Sequence, residues 1–180
     1  MALVVLLYQF KEIKTMRKTI LIPTDFTVQS LNVLKTILSN KETSQTFDVI
    51  LLHGVSLSDS IRDLLFFSKA EQLDSLTNDE FDEACEVIKN KFDSQINSLR
   101  TDIFSGHNRS AFNNYLEGNK VEHIFISDQK PTLTNRKSFD LTPYIEKCAV
   151  QVTKIDSGTI PSIPEKGKIA EVFMNQVSLG

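Results

Sequence analysis

The sequence predicts an α/β fold: a doubly wound, five-stranded parallel sheet with helices on both faces. Three observations carry that expectation. Short apolar runs rich in β-branched residues recur at 19–23, 47–53, 101–106, 121–127 and 150–155. Those at 19–23 and 47–53 lack the polar alternation of a half-exposed strand, so they read as strands buried on both faces. Helical periodicity separates the runs, and strands alternating with helices make a parallel sheet. A chain of 180 residues, 41% hydrophobic and 24% charged, suits one domain with a core that needs no disulfide or metal.

The first strand, TILIP (19–23), ends on Pro23, Thr24 and Asp25. Thr27 can cap the next helix, whose apolar positions Val28, Leu31, Leu34, Ile37 and Leu38 keep helical spacing. A polar stretch at 40–46 leads to the second strand, FDVILLH (47–53). The long connection that follows reads as two helices. One runs from Leu57 to Leu73, with Ile61, Leu64, Leu65, Phe67 and Ala70 on one side. The other opens on Thr77 and Glu80, a capping-box pair, and carries Phe81, Ala84, Cys85, Ile88, Phe92, Ile96 and Leu99. That stripe puts Cys85 in the core. The face around Phe66, Phe67 and Leu73 is expected to pack inside as well, the alternative being that it receives a protein partner.

The third strand is TDIFSG (101–106). Asn108 caps a helix through Ala111, Phe112, Tyr115 and Leu116 that stops at Gly118. VEHIFIS (121–127) is the fourth strand, Thr142 and Pro143 open a short helix to Cys148, and VQVTKI (150–155) is the fifth strand. The domain therefore spans 17–156. Residues 1–16 form an amino-terminal extension, read either as an extra strand or as residues upstream of a start at Met16. Its apolar run has no basic residue ahead of it, which does not suit a signal peptide, and is too short to span a bilayer. Residues 157–180 form a tail whose Ile169, Val172, Phe173 and Val177 suit a short helix, and which either covers the edge of strand 150–155 or embraces a second copy.

A net charge of −3 argues against a nucleic-acid partner, and no span suits a membrane. Two cysteines give no disulfide framework, which fits a reducing cytoplasm. His53, ending a strand, reads as a packed histidine. His107 and His123 have no partners at metal-ligand spacing. Nucleophile-elbow, Walker and GxGxxG motifs are all missing, and a phospho-receiver would need an Asp where the third strand ends in FSGH. The chain reads as a non-enzyme. Open α/β sheets bind ligands beyond the strand carboxyl ends, where the strand order reverses. Asp25, Ser127 and Asp128 are expected on that rim.

ILIPTDFTVQSLNVLKTIL (20–38), DVILLHGV (48–55) and EHIFIS (122–127) resemble the opening strand and helix, second strand and fourth strand of the universal stress protein family. The resemblance covers about residues 17–156, and its first segment is the distinctive one. It implies the adenine nucleotide alpha hydrolase-like fold, a stress-response role and a homodimer. The dimer would form through the edge strand 150–155. It also implies an adenine-nucleotide crevice, for ATP or AMP, with Asp25 on the nucleoside, Pro23 and Thr24 beside it, and Val49 or its neighbours on the second strand bordering the base. In binding members the phosphates rest on a loop after the fourth strand, written G-x2-G-x9-G-[ST].

This sequence departs from the family there. SDQKPTLTNRKSFDLT (127–142) has no glycine. Ser127 and Lys130 stand near the first two glycine positions, and Leu141 and Thr142 near the last pair. Side chains there crowd the backbone amides that would hold phosphate. Lys130, Arg136 and Lys137 offer charge, a weaker substitute. Two readings of the whole follow. One is a non-catalytic regulatory or interaction protein with a degenerate nucleotide crevice and no cofactor. The other is an adenine-nucleotide binder that grips phosphate by side chains, with slow hydrolysis. Asp25 is correspondingly either a nucleoside contact or a strand-end acid that supports the next helix.

Overall fold

The apolar run at 19–23 becomes the centre of a sheet. In the computed structural model, which describes residues 16–40, 45–58, 60–133 and 135–156, strand β1 (Met16–Pro23) pairs in parallel with β2 (Gln45–Val55) on one side. On its other side it pairs with β4 (His123–Ser127). β3 (Ile96–Phe104) adds to β2, and β6 (Gln151–Ile155) adds to β4, again in parallel. The order β3-β2-β1-β4-β6 is the doubly wound arrangement the sequence predicts. A sixth strand was not foreseen: β5 (Ser138–Phe139) pairs antiparallel with Gly54 and Val55 at the end of β2. The expectations for the amino-terminal extension and the tail helix lie outside the described residues.

The pleat divides β1 and β2 between two cores. Ile20, Ile22, Val49 and Leu51 point to one face, with Leu34 and Leu38 of α1 (Asn32–Ser39) and Phe81 and Ile88 of α4 (Asp79–Lys91). Leu21, Ile50 and Leu52 point to the other, with Phe112 and Leu116 of α5 (Arg109–Gly118) and Ile145 of α6 (Thr142–Ile145). Burial on both faces explains why these strands lack alternation.

Several local expectations shift. Thr27 does cap, accepting from Ser30 N, but the first turn, Val28–Leu31, is a 3₁₀ helix that then runs on into α1. The helix expected over 57–73 is two short ones, α2 (Ile61–Leu65) and α3 (Lys69–Asp74). Phe66 is 77% exposed rather than packed inside, and Phe67 39%. α4 is capped by Asn78, which accepts from Phe81 N, and not by Thr77. Ile96 and Leu99 continue the α4 stripe by spacing yet belong to β3, where Ile96 pairs with Phe47. Their helical register is a coincidence that strand pairing overrides. Leu141, not Thr142, sits at the cap of α6. Beyond Gly118 the left-handed residue is Lys120, at φ 53°.

Candidate functional site

The strand order reverses between β1 and β4, so their carboxyl ends form the rim of the crevice. Residues 23–27 and the segment after Ser127 meet there. Thr24 is 6% exposed, and its N–H continues the sheet by donating to Leu52 O at 2.9 Å. Phe26 then takes φ 60°, a conformation costly for a bulky residue. Thr24 Oγ1 accepts from Phe26 N at 3.0 Å, and the ring is buried against His53 (4.9 Å between centroids) and edge-on to Phe81 (5.4 Å). The turn so held presents the Asp25 carboxylate.

That carboxylate is occupied by the chain itself. Its Oδ1 accepts from Thr27 N (3.1 Å) and Thr27 Oγ1 (2.6 Å), which fixes the start of the helical segment. Its Oδ2 accepts from Thr132 N at 2.8 Å, across the crevice, from the segment that follows β4. The same segment is fastened further along. Ser56 N donates to Lys137 O at 2.7 Å, and β5 lies against Gly54 and Val55. A Cβ on Gly54 would stand 2.5 Å from Phe139 O, so only glycine permits this approach.

His53 is the third fastening. It is 4% exposed, with Nδ1 2.6 Å from Thr24 O and Nε2 2.7 Å from Ser138 Oγ. A carbonyl oxygen only accepts, so Nδ1 carries the proton and donates, and Nε2 accepts from the Ser138 hydroxyl. Burial lowers the ring's pKa, against the opposing pull of the Thr24 carbonyl and the Asp25 charge. The neutral ring thus ties β1, β2 and β5 together, a packed histidine as expected.

The sequence-predicted site residues separate into two groups. Pro23, Thr24, Asp25 and Ser127 stand at the rim, where the strand ends place them. Val49 lies mid-strand, fully buried in the core and away from the rim. Ser127 Oγ accepts from Gln129 N at 3.0 Å. Thr142 donates from N (2.9 Å) and Oγ1 (2.7 Å) to Asp140. Both hydroxyls therefore serve their own turns. Lys130, Arg136 and Lys137 are exposed. Thr132 and Ser138 went unforeseen, Thr132 because it acts through a backbone N–H that leaves no mark in residue type.

A second charged cluster lies on β3. Asp102, 3% exposed, receives Lys69 Nζ, Arg100 (2.8 Å) and Tyr115 Oη (2.9 Å). Burial pushes its pKa up, but those three donors outweigh burial and hold it below the usual carboxylate range. This cluster fastens α3 and α5 to β3. Cys85 is partly buried against the core, and burial pushes its thiol up to about 12, which makes it a poor nucleophile. Among the described residues no group of three His, Cys, Asp or Glu side chains can hold a metal ion, and no helix is long and apolar enough to cross a membrane.

No protein-family model matches the sequence, and no curated protein matches it. Solved structures do match. The universal stress protein UspA from Lactobacillus plantarum superposes with a TM-score of 0.51 at 15% identity, covering 78% of this chain and 99% of its own. The hypothetical protein MJ0577 gives 0.50 at 24% identity, over 81% of this chain and all of its own. A universal stress protein family protein from Arabidopsis thaliana, solved with AMP bound, is looser, at 0.43 and 12% identity over 79% of this chain. The chain thus has the fold of the universal stress proteins, with its own β4–α6 loop fastened across the rim of the crevice.

Proposed function

We propose that this is a non-catalytic, stress-type regulatory or interaction protein whose nucleotide crevice has become a structural joint, and that it works as a homodimer paired through β6. The observation that carries this reading is the Asp25 carboxylate: one oxygen holds Thr27 and the other holds Thr132 N of the facing loop. A nucleoside seeking that acid must first displace a charge-assisted hydrogen bond, a group worth about 1.5–3 kcal/mol. The glycine-free loop gives no compensating backbone seat for phosphate.

The second reading, a nucleotide gripped by side chains, draws on the three exposed cations Lys130, Arg136 and Lys137 in the same loop. Thermal unfolding with increasing ATP or AMP and Mg²⁺ separates the two. A ligand bound to the native state alone raises the transition temperature by mass action. We expect no saturable rise. A saturable rise that Asp25→Ala removes would establish the nucleotide-binding reading in its place.

A further inference from the structure

We infer that the chain beyond β6, residues 157–180, docks on the apolar face of α2 and seats a large side chain in the cavity beside it. Ile61, Leu65 and Phe66 are each 77% exposed, and Phe67 is 39% exposed. Ile61 and Leu65 stand one turn apart on the same side of α2, and Phe66 follows directly at its end. Apolar patches of this kind on a folded domain mark a contact surface. Next to it opens a cavity of about 240 Å³, lined by Phe66 and Phe67 and by polar and charged groups that include Ser56, Glu71, Gln72 and Lys137. That is smaller than the roughly 300 Å³ at which small-molecule sites begin, and it has room for one large side chain. Its serine and glutamine groups suit a peptide, whose backbone arrives with polar groups to satisfy.

The position of the chain end selects the occupant. All five long strands run parallel, so Ile155 at the end of β6 lies on the same rim as Ser56, where the connection to α2 begins. Three strand spacings separate β6 from β2, about 14 Å. Residues 156–168 cover that with ease, since an extended chain advances about 3.3 Å per residue. Beyond them Ile169, Val172, Phe173 and Val177 recur at the spacing of one helix face. Residues 1–15 are more apolar but join β1 at its start, on the opposite rim.

Amide hydrogen exchange on the full chain tests this, beside a chain ending at Asp156 and the full-length variant Phe173→Asp. Peptides covering 61–67 should exchange at least about fivefold faster in both variants, with β1 and β4 peptides unchanged. Equal exchange at 61–67 in all three proteins overturns the inference. So does protection there that rises with protein concentration, which means a second copy, or that disappears only when residues 1–15 are removed.

Discussion

With Nδ1 donating to Thr24 and Nε2 accepting from Ser138, the buried His53 ring is neutral. A second proton would turn Nε2 into a donor to the Ser138 oxygen, which can accept it, but would put a charge in a buried site. The unfolded chain takes that proton near pH 6.5, whereas burial delays it in the folded chain. Between the two values the unfolded state binds more protons, so acid favours unfolding. The stabilisation is whole above about pH 6.5 and is lost as pH falls toward the lower folded value. His123 is depressed too, by burial and then by Lys18, so it adds a slope of the same sign. Denaturant titrations from pH 8 to pH 5 should therefore show stability falling below about pH 6.5. In His53→Gln the fall should shrink to the share of His123. An undiminished slope in that variant would show that His53 is not the titrating group.

At the scale of elements, β5 is two residues long and depends on one close approach. Gly54 lets Phe139 O come within 2.5 Å of where a Cβ would stand, with the Phe139 ring at 2.9 Å. Gly54→Ala should push β5 off the end of β2 and cost about 1–3 kcal/mol, the usual range for overpacking. The Ser56 amide, bonded to Lys137 O, should lose hydrogen-exchange protection in the same variant. Gly118 is the contrast: nothing lies within 4 Å of its would-be Cβ, and it sits in α5. Gly118→Ala should raise stability by about 0.5–1 kcal/mol. If Gly54→Ala leaves stability and Ser56 exchange unchanged, β5 is not a fastening. The difference between these glycines was invisible in the sequence, because it depends on a residue 85 positions away along the chain. Local features were legible: the apolar runs, the caps at Thr27 and Asn108, and Asp25 at the end of β1. Helical spacing misplaced Ile96 and Leu99, since only pairing with β2 shows them to be strand. The reading of Asp25 as a strand-end acid that supports the next helix is half the account. Its bond to Thr27 follows from neighbours in sequence, while its bond to Thr132 comes from a loop fold that no spacing encodes.

For the whole molecule, the strand order leaves β3 and β6 as the two ends of the sheet, and the two are not equally guarded. β3 carries an irregularity in its pairing with β2 near Phe47 and Asp48, and Lys69 of α3 is anchored to it through Asp102. Irregular pairing and a helix laid across are both devices that blunt an edge. β6 has five residues in regular register with β4 and only one charged side chain among them, Lys154. An edge so regular can pair with another strand, and a second copy supplies a matching one across a two-fold axis. Light scattering at micromolar concentration should accordingly give twice the chain mass. Along a strand, successive N–H groups point to opposite neighbours, so adjacent positions of β6 differ in whether they bond β4 or face outward. Single prolines at Val152, Thr153 and Lys154 exploit this. An inward-pointing position should lose the fold's edge, whereas an outward-pointing one should keep the far-ultraviolet circular dichroism of the parent and elute as a monomer. A parent chain that is monomeric at micromolar concentration rejects the dimer outright. A dimer that survives in every folded proline variant moves the interface away from β6.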